Sequence, residues 1–103
     1  MKLKNYTIYR SPILRFIGLR FSRKNNKILI LELRKESRIN SAIDMFFVFY
    51  PINVIWLDKN KKVVDIKNKI FPFTPFVIPR KKAKYILEST HSIKVKPGDK
   101  LKF

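Results

Sequence analysis

The single histidine, His91, is the residue that a hydrolytic site in this chain would have to use. A serine nucleophile needs an imidazole base, and Ser89 and Ser92 are the nearest hydroxyls. Neither serine lies in the Gly-x-Ser-x-Gly turn that exposes a nucleophile. His91 follows a predicted strand in a Ser/Thr-rich turn, so the sequence favours a surface loop histidine and identifies no catalytic residue.

Four aspartates are the candidates for a carboxylate pair in acid–base chemistry: Asp44, Asp58, Asp65 and Asp99. Three of them fall at predicted turns or strand edges, where solvated or turn-forming acids are common. Asp44 opens an uncharged run and is the least ordinary of the four. Capping or pairing with a basic residue is still favoured over catalysis for Asp44, and enzymatic activity is disfavoured though left open.

Metal and cofactor sites lack the residues they need. The chain has no cysteine and one histidine, whereas a zinc site needs three or four such ligands. Residues 58–60 open like a calcium loop, but the required glycine is missing and the distal position, 69, is lysine. With two glycines there is neither a P-loop nor a dinucleotide fingerprint. The sequence predicts no metal and no cofactor.

Charge is the feature most suggestive of a partner. The 103 residues include 24 Lys and Arg and 7 Asp and Glu, a formal net charge of +17. Residues 1–40 hold eleven basic and two acidic residues, and residues 41–103 hold thirteen and five, so the charge is not confined to a tail. The excess favours nucleic acid or another polyanion as partner, with biased coding composition as the alternative.

The candidate polyanion-binding residues fall in three groups. One adjoins an aromatic, proline-rich loop, one follows residues 12–20, and one alternates along the C-terminal sequence SIKVKPGDKLKF. In that last group a three-residue turn would make a hairpin with Lys96 facing Lys100 and Lys94 facing Lys102, a costly arrangement of like charges. The full set is Arg20, Arg23, Arg80, Lys81, Lys82, Lys84, Lys94, Lys96, Lys100 and Lys102.

The aromatic loop contains Phe71, Phe73 and Phe76 beside the Arg80–Lys84 group. Cations next to aromatic rings are typical of single-stranded nucleic-acid binding, in which bases stack and phosphates are neutralised. The alternative, which we favour from the sequence, is that these phenylalanines close the core and the lysines are simply solvated.

The elements that position these residues are mainly strands. Residues 3–9 alternate in polarity, Ser11-Pro12 is a good helix start, and 12–20 have helical spacing. Residues 27–34 and 84–88 are predicted strands. The residues between Asp44 and Asp58 carry no charge. Residues 43–49, and 52–57 except Asn53, are apolar on both alternating faces, which predicts two core strands separated by a kink at Tyr50-Pro51. A turn at 58–62 and a strand at 63–66 complete a hairpin.

These elements predict one domain over residues 1–103: a mainly β, compact antiparallel sandwich or barrel with one short N-terminal helix at about 12–20. Residues 43–58 are too short to span a bilayer as a helix, and the N-terminus has no apolar signal region. The sequence therefore predicts a soluble cytoplasmic protein, with its oligomeric state left open.

Several motifs, taken in order, resemble one family. The sequences MFFVF (45–49), PINVIWLD (51–58) and VV (63–64) resemble the central signature of the family catalogued as domain of unknown function 192. Further similarities are found at Gly18-Leu19, Pro72 and Phe73, YILE (85–88) and Gly98-Asp99. The resemblance implies a compact β fold with little helix, and it implies almost nothing about activity.

Departures from the family pattern affect a candidate pocket. Ser22 stands where the family commonly has arginine, Asn53 where it has aspartate, and Asp44 where it has histidine or tryptophan. The candidate pocket residues are Asp44, Asn53, Pro72 and Phe73. Three functional hypotheses thus remain: a polyanion-binding module, a ligand-pocket protein or enzyme, and a partner-binding domain marked by an exposed apolar patch.

Overall fold

A computed structural model describes residues 1–11 and 26–103 of the chain. Its five strands form one sheet in the order β1-β2-β5-β3-β4. They are β1 (Tyr6–Tyr9), β2 (Ile28–Ser37), β3 (Ile52–Leu57), β4 (Val63–Ile70) and β5 (Ala83–Ser89). The mainly β class is confirmed. The helix predicted at 12–20 lies outside the described residues, as do Arg20 and Arg23, and the described part of the chain contains no helix.

The sheet is mixed, which corrects the antiparallel prediction at one edge. β1 pairs with β2 in parallel, with Tyr6 opposite Ile28, while β2–β5, β5–β3 and β3–β4 are antiparallel. A parallel neighbour needs a long connection, and the chain between Tyr9 and Ile28 provides one. No helix in the described ranges is long and apolar enough to cross a bilayer.

Both faces of the sheet carry a hydrophobic cluster. The first cluster includes Leu29, Leu31, Val54, Trp56 and Ile86, and the second includes Ile28, Ile30, Ile55, Leu57 and Leu87. Neighbouring residues of one strand therefore alternate between the clusters, as the pleat requires. All six residues of β3 are buried, because it is an inner strand covered on both sides. The uncharged sequence at 52–57 is core, as predicted.

A layer of two loops, residues 38–51 and 71–82, covers the first cluster. Ile43 and Val77 exchange two backbone hydrogen bonds of 2.9 and 2.8 Å, and Met45 bonds to Thr74 and Phe73. The strand predicted at 43–49 is wrong: Ile43 makes an isolated bridge and a turn follows at 46–47. The turn forms because the Val48 amide donates back to the Met45 carbonyl, which ends extended pairing.

The two ends of the described chain cover the second cluster. Leu3 and Leu101 are buried there, and Ile93, Val95 and Phe103 pack against it. The predicted C-terminal hairpin is wrong. Lys100 bridges Lys62 and Lys102 bridges Lys2, so neither pairs with the 94–96 segment. Pairing with β4 and the N-terminal segment satisfies this backbone and places Leu101 in the core, at 3% exposure.

Candidate binding surface

Six phenylalanines of the loop layer are exposed to solvent, at 44 to 68% of their surface. We name this set the aromatic patch: Phe46, Phe47, Phe49, Phe71, Phe73 and Phe76. The expectation that Phe71, Phe73 and Phe76 close the core is therefore wrong. The uncharged run at 45–50 has two roles, because Met45, Val48 and Tyr50 are buried while the intervening phenylalanines face outward.

Phe73 joins the two loops of the patch. Its ring centroid lies 6.1 Å from that of Phe47 and 5.5 Å from that of Phe49, with interplanar angles of 70° and 71°. These are edge-to-face contacts, the geometry that aromatic quadrupoles favour. The three side chains remain 45 to 60% exposed, so part of their surface is in contact with solvent.

The backbone beneath the patch is strained at two phenylalanines. Phe47 and Phe73 have φ angles of 61° and 63°, in the left-handed region that bulky residues rarely adopt. The Phe73 amide donates to the Met45 carbonyl at 2.8 Å, and the Met45 amide donates to the Thr74 carbonyl at 2.8 Å. Asp44 Oδ1 accepts the Phe46 amide at 3.0 Å. These bonds hold the strained conformation in place.

Basic side chains border the patch along the same chain segments. Lys67 and Lys69 precede Phe71, and Arg80, Lys81 and Lys82 follow Phe76; all five are exposed. Residues 66–82 contain no acidic residue. Aromatic rings and cations are thus neighbours along this one stretch of the chain.

Asp65 binds Arg80, the first residue of the basic group at 80–82. The carboxylate is 2% exposed and accepts the Arg80 amide at 2.9 Å, the Ile66 amide at 2.9 Å and Arg80 Nε at 3.3 Å. An irregularity in the β3–β4 pairing places Asp65 opposite Trp56, on the inner side of the loop layer. The sequence grouped Asp65 with turn and edge aspartates, and the alternation of the chain gave no signal for this bulge.

The candidate pocket residues do not all meet. Asp44 lies beside Met45, whose carbonyl accepts the Phe73 amide, so Asp44, Pro72 and Phe73 are on adjoining segments. Asn53 alternates with Ile52 and Val54, which pack in the first cluster, and so lies on the opposite face. Its Oδ1 accepts the Lys69 amide at 3.0 Å, where Lys69 has a φ of 53°. Asn53 stabilises an irregular stretch of β4.

The predicted polyanion residues divide between two surfaces. Arg80, Lys81 and Lys82 lie in the loop layer over the first cluster. The other exposed group lies in the C-terminal segment that covers the second cluster: Lys94, Lys96, Lys100 and Lys102. Lys84 belongs to neither group, since it is 25% exposed and its Nζ lies 3.8 Å from Glu32 Oε2. The positive charge therefore forms no single described surface.

Tyr50 and Glu88 bring two titratable groups to the first cluster. Tyr50 is 9% exposed and Glu88 is 6% exposed. Burial raises the pKa of Tyr50 above its ordinary value of 10.0, and the negative charge of Glu88 raises it further. Within residues 1–11 and 26–103, Tyr50 Oη has no hydrogen-bond partner.

The remaining polar candidates take part in hydrogen bonds that involve the backbone. His91 is exposed in a loop, as predicted, and its carbonyl accepts the Ser89 hydroxyl at 2.6 Å, so this serine donates to backbone and not to imidazole. Asp58 accepts the amides of Asn60 and Lys62, and Asp99 accepts the amide of Lys96. Among the described residues no three His, Cys, Asp or Glu side chains group as a metal site would require.

The sheet, its loop layer and its two-sided core define a small, mainly β fold. The chain belongs to the family DUF192, described as "Uncharacterized ACR", whose sequence model matches residues 4–103. This confirms the resemblance found in the sequence motifs.

Curated relatives are UPF0127 proteins of archaea. The protein of Pyrococcus furiosus is 40% identical over 95 residues, covering 88% of this chain and 79% of the relative. The protein of Pyrococcus horikoshii is 40% identical over 97 residues, covering 90% and 82%. The chain spans only 47% of the relative from Thermococcus sibiricus, at 41% identity over 75 residues and 73% of this chain.

Two solved bacterial structures share the fold at 17% sequence identity. A protein of unknown function from Novosphingobium aromaticivorans aligns over 92% of this chain and 71% of its own, with a TM-score of 0.78. A Sinorhizobium meliloti protein, classed provisionally as a transcription regulator, aligns over 92% and 78% with a TM-score of 0.81. At this identity the likeness shows the fold alone.

Proposed function

We propose that this domain is a binding module that holds nucleic acid or another polyanion on a lysine- and arginine-rich surface. The observation that supports this most is how the acidic side chains are used. Asp44, Asp58, Asp65, Asp99 and Glu36 all accept backbone amides, which ties their carboxylates to loops, turns and strands of the fold.

Within residues 1–11 and 26–103, the ion pairs join Arg10 and Lys84 to Glu32, and Arg80 to Asp65. Many of the remaining cations are exposed lysines, with a net charge of +17 over the whole chain. Such a charge repels itself in the free protein, and a polyanion relieves that repulsion while releasing its own counterions.

The loop-covered side is the better candidate for the contact surface. There the cations Lys81 and Lys82 follow the exposed phenylalanines of residues 71–76 in the same loop, whereas Lys100 and Lys102 lie on the other side, around the paired chain ends. A cytoplasmic location, where nucleic acid is abundant, is part of the same proposal. A ligand pocket around Asp44 has less support, because Asn53 lies on the opposite face.

The test is fluorescence anisotropy with labelled RNA, DNA and polyphosphate between about 50 and 300 mM salt. We expect binding whose logarithmic affinity falls linearly with the logarithm of salt, by about 0.7 to 0.9 for each phosphate neutralised. Lys81→Ala with Lys82→Ala should reduce that slope by about 1.4 to 1.8.

Lys100→Ala with Lys102→Ala is the matched control, since it removes the same charge from the other side. We expect this control to leave the slope nearly unchanged. Absence of binding to every polyanion at the lowest salt would refute the proposed function. An equal effect of the two double variants would refute the choice of surface.

A further inference from the structure

We infer that the ligand of the loop-covered side is a single-stranded nucleic acid whose bases stack on the aromatic patch. This inference rests on the proposed function and narrows it from polyanions in general to one class. A duplex conceals the faces of its bases, whereas a single strand offers both unstacked bases and phosphates.

The first support is that the phenylalanines of the patch are outside the core. Among the described residues each face of the sheet has its own hydrophobic cluster, and the patch residues belong to neither. Phe71 is 68% exposed and Phe49 is 60% exposed. Exposed apolar patches of this kind on small proteins usually mark a binding surface.

The second support is charge complementarity, which favours nucleic acid over an apolar protein partner. Cations stand on both sides of the aromatic residues along the chain, with Lys67 and Lys69 before Phe71 and Lys81 and Lys82 after Phe76. A segment with rings in the middle and cations at its ends matches a strand whose bases and phosphates must both be contacted. An uncharged protein surface would gain nothing from those cations.

The third support is that the patch is already organised for binding. The loops that carry it are joined by the Ile43–Val77 bridge and by hydrogen bonds between Met45 and residues 73–74. Phe47 and Phe73 are held in left-handed conformations. Non-glycine strain of this kind is concentrated at functional sites, and an ordered surface loses less conformational entropy on binding.

The experiment compares three labelled probes of about equal charge at about 150 mM salt: a single-stranded oligonucleotide of about 12 nucleotides, a duplex and polyphosphate. We expect the single strand to bind at least about tenfold more tightly than either of the others, because only its unpaired bases can stack on the aromatic rings.

Variants then separate stacking from general apolar contact. Phe49→Ala with Phe71→Ala should weaken single-strand binding by about 10- to 100-fold and leave duplex and polyphosphate binding within about twofold. Phe49→Leu with Phe71→Leu keeps apolar side chains without π faces and should lose most of the same affinity. Ile39→Ala, at a non-aromatic side chain that is 64% exposed, is the control and should change nothing.

Three results would overturn this inference and leave the proposed function standing. One is equal affinity for the three probes, and another is single-strand binding that the alanine pair does not weaken. The third is full single-strand binding by the leucine pair, since it would show that apolar contact without a π face is sufficient. Failure of all three probes to bind would instead remove the proposed function itself.

Discussion

Phe47 and Phe73 lie in two different loops and contact each other edge to face, with ring centroids 6.1 Å apart. Both residues have left-handed backbone conformations. Glycine is the residue that adopts this conformation without steric cost, yet phenylalanine occupies both positions. Neither ring is buried, since they are 48% and 45% exposed. Packing in the core therefore does not explain these side chains, and the proposed stacking surface gives them a role that can be tested.

Phe47→Gly should consequently cost the fold little. Relief of left-handed strain stabilises the variant by about 1 kcal/mol, and the greater freedom of glycine in the unfolded chain offsets a similar amount. We expect the free energy of unfolding, measured by urea denaturation, to stay within about 1 kcal/mol of the parent. Single-strand affinity should fall in the same variant.

Phe46→Gly is the matched control for that change. Phe46 is a neighbouring exposed phenylalanine that is not among the positive-φ residues, so glycine brings flexibility there without relieving strain. It should lose about 0.5–1 kcal/mol relative to Phe47→Gly. The reverse order of stability would show that position 47 is not strained.

The sequence predicted strands where burial on both faces leaves a simple pattern. The prediction at 52–57 matches β3, and the turn at 58–62 with its returning strand matches the β3–β4 hairpin. The same reasoning failed at 43–49. Some of these apolar residues, such as Met45, pack in the core, whereas others, such as Phe46, are exposed to solvent. The sequence alone does not distinguish the two groups.

Long-range pairing also limited the prediction of the site. The alternation at the C-terminus suggested that Lys100 faces Lys96, but Lys100 pairs with Lys62 at the far end of a hairpin. Asp65 likewise gave no local sign of burial, because a bulge in the pairing with β3 decides which way it points. The spacing of residues within one segment does not specify which residues of a distant segment it pairs with.

Asp65→Asn should destabilise the protein by about 1–3 kcal/mol, because an amide NH₂ replaces one of two oxygens that now accept backbone amides in a buried site. The same change at Asp58, also an acceptor for two backbone amides but in a more exposed turn, should cost less than about 0.5 kcal/mol, since asparagine fits turns well. Urea denaturation of the two variants checks this, and equal losses would contradict the structural role of Asp65.

Tyr50→Phe tests the buried pair of Tyr50 and Glu88. The hydroxyl is buried without a hydrogen-bond partner in the described residues, so its removal should be neutral or stabilising by up to about 1 kcal/mol at pH 7. A loss of more than about 1 kcal/mol would contradict this expectation. Tyr6→Phe, at a half-buried tyrosine in the second cluster, serves as the control.

The difference between parent and Tyr50→Phe should also depend on pH. Burial, aided by the charge of Glu88, raises the pKa of Tyr50 in the folded protein above the ordinary 10.0. Above pH 10 the unfolded chain loses this proton while the folded chain keeps it, so the unfolded state binds fewer protons and stability falls as pH rises. The fall, up to about 1.4 kcal/mol per pH unit, continues until the folded pKa is reached. Urea denaturation between about pH 8 and 11 should show a smaller fall in Tyr50→Phe than in the parent, and parallel curves would contradict the raised pKa.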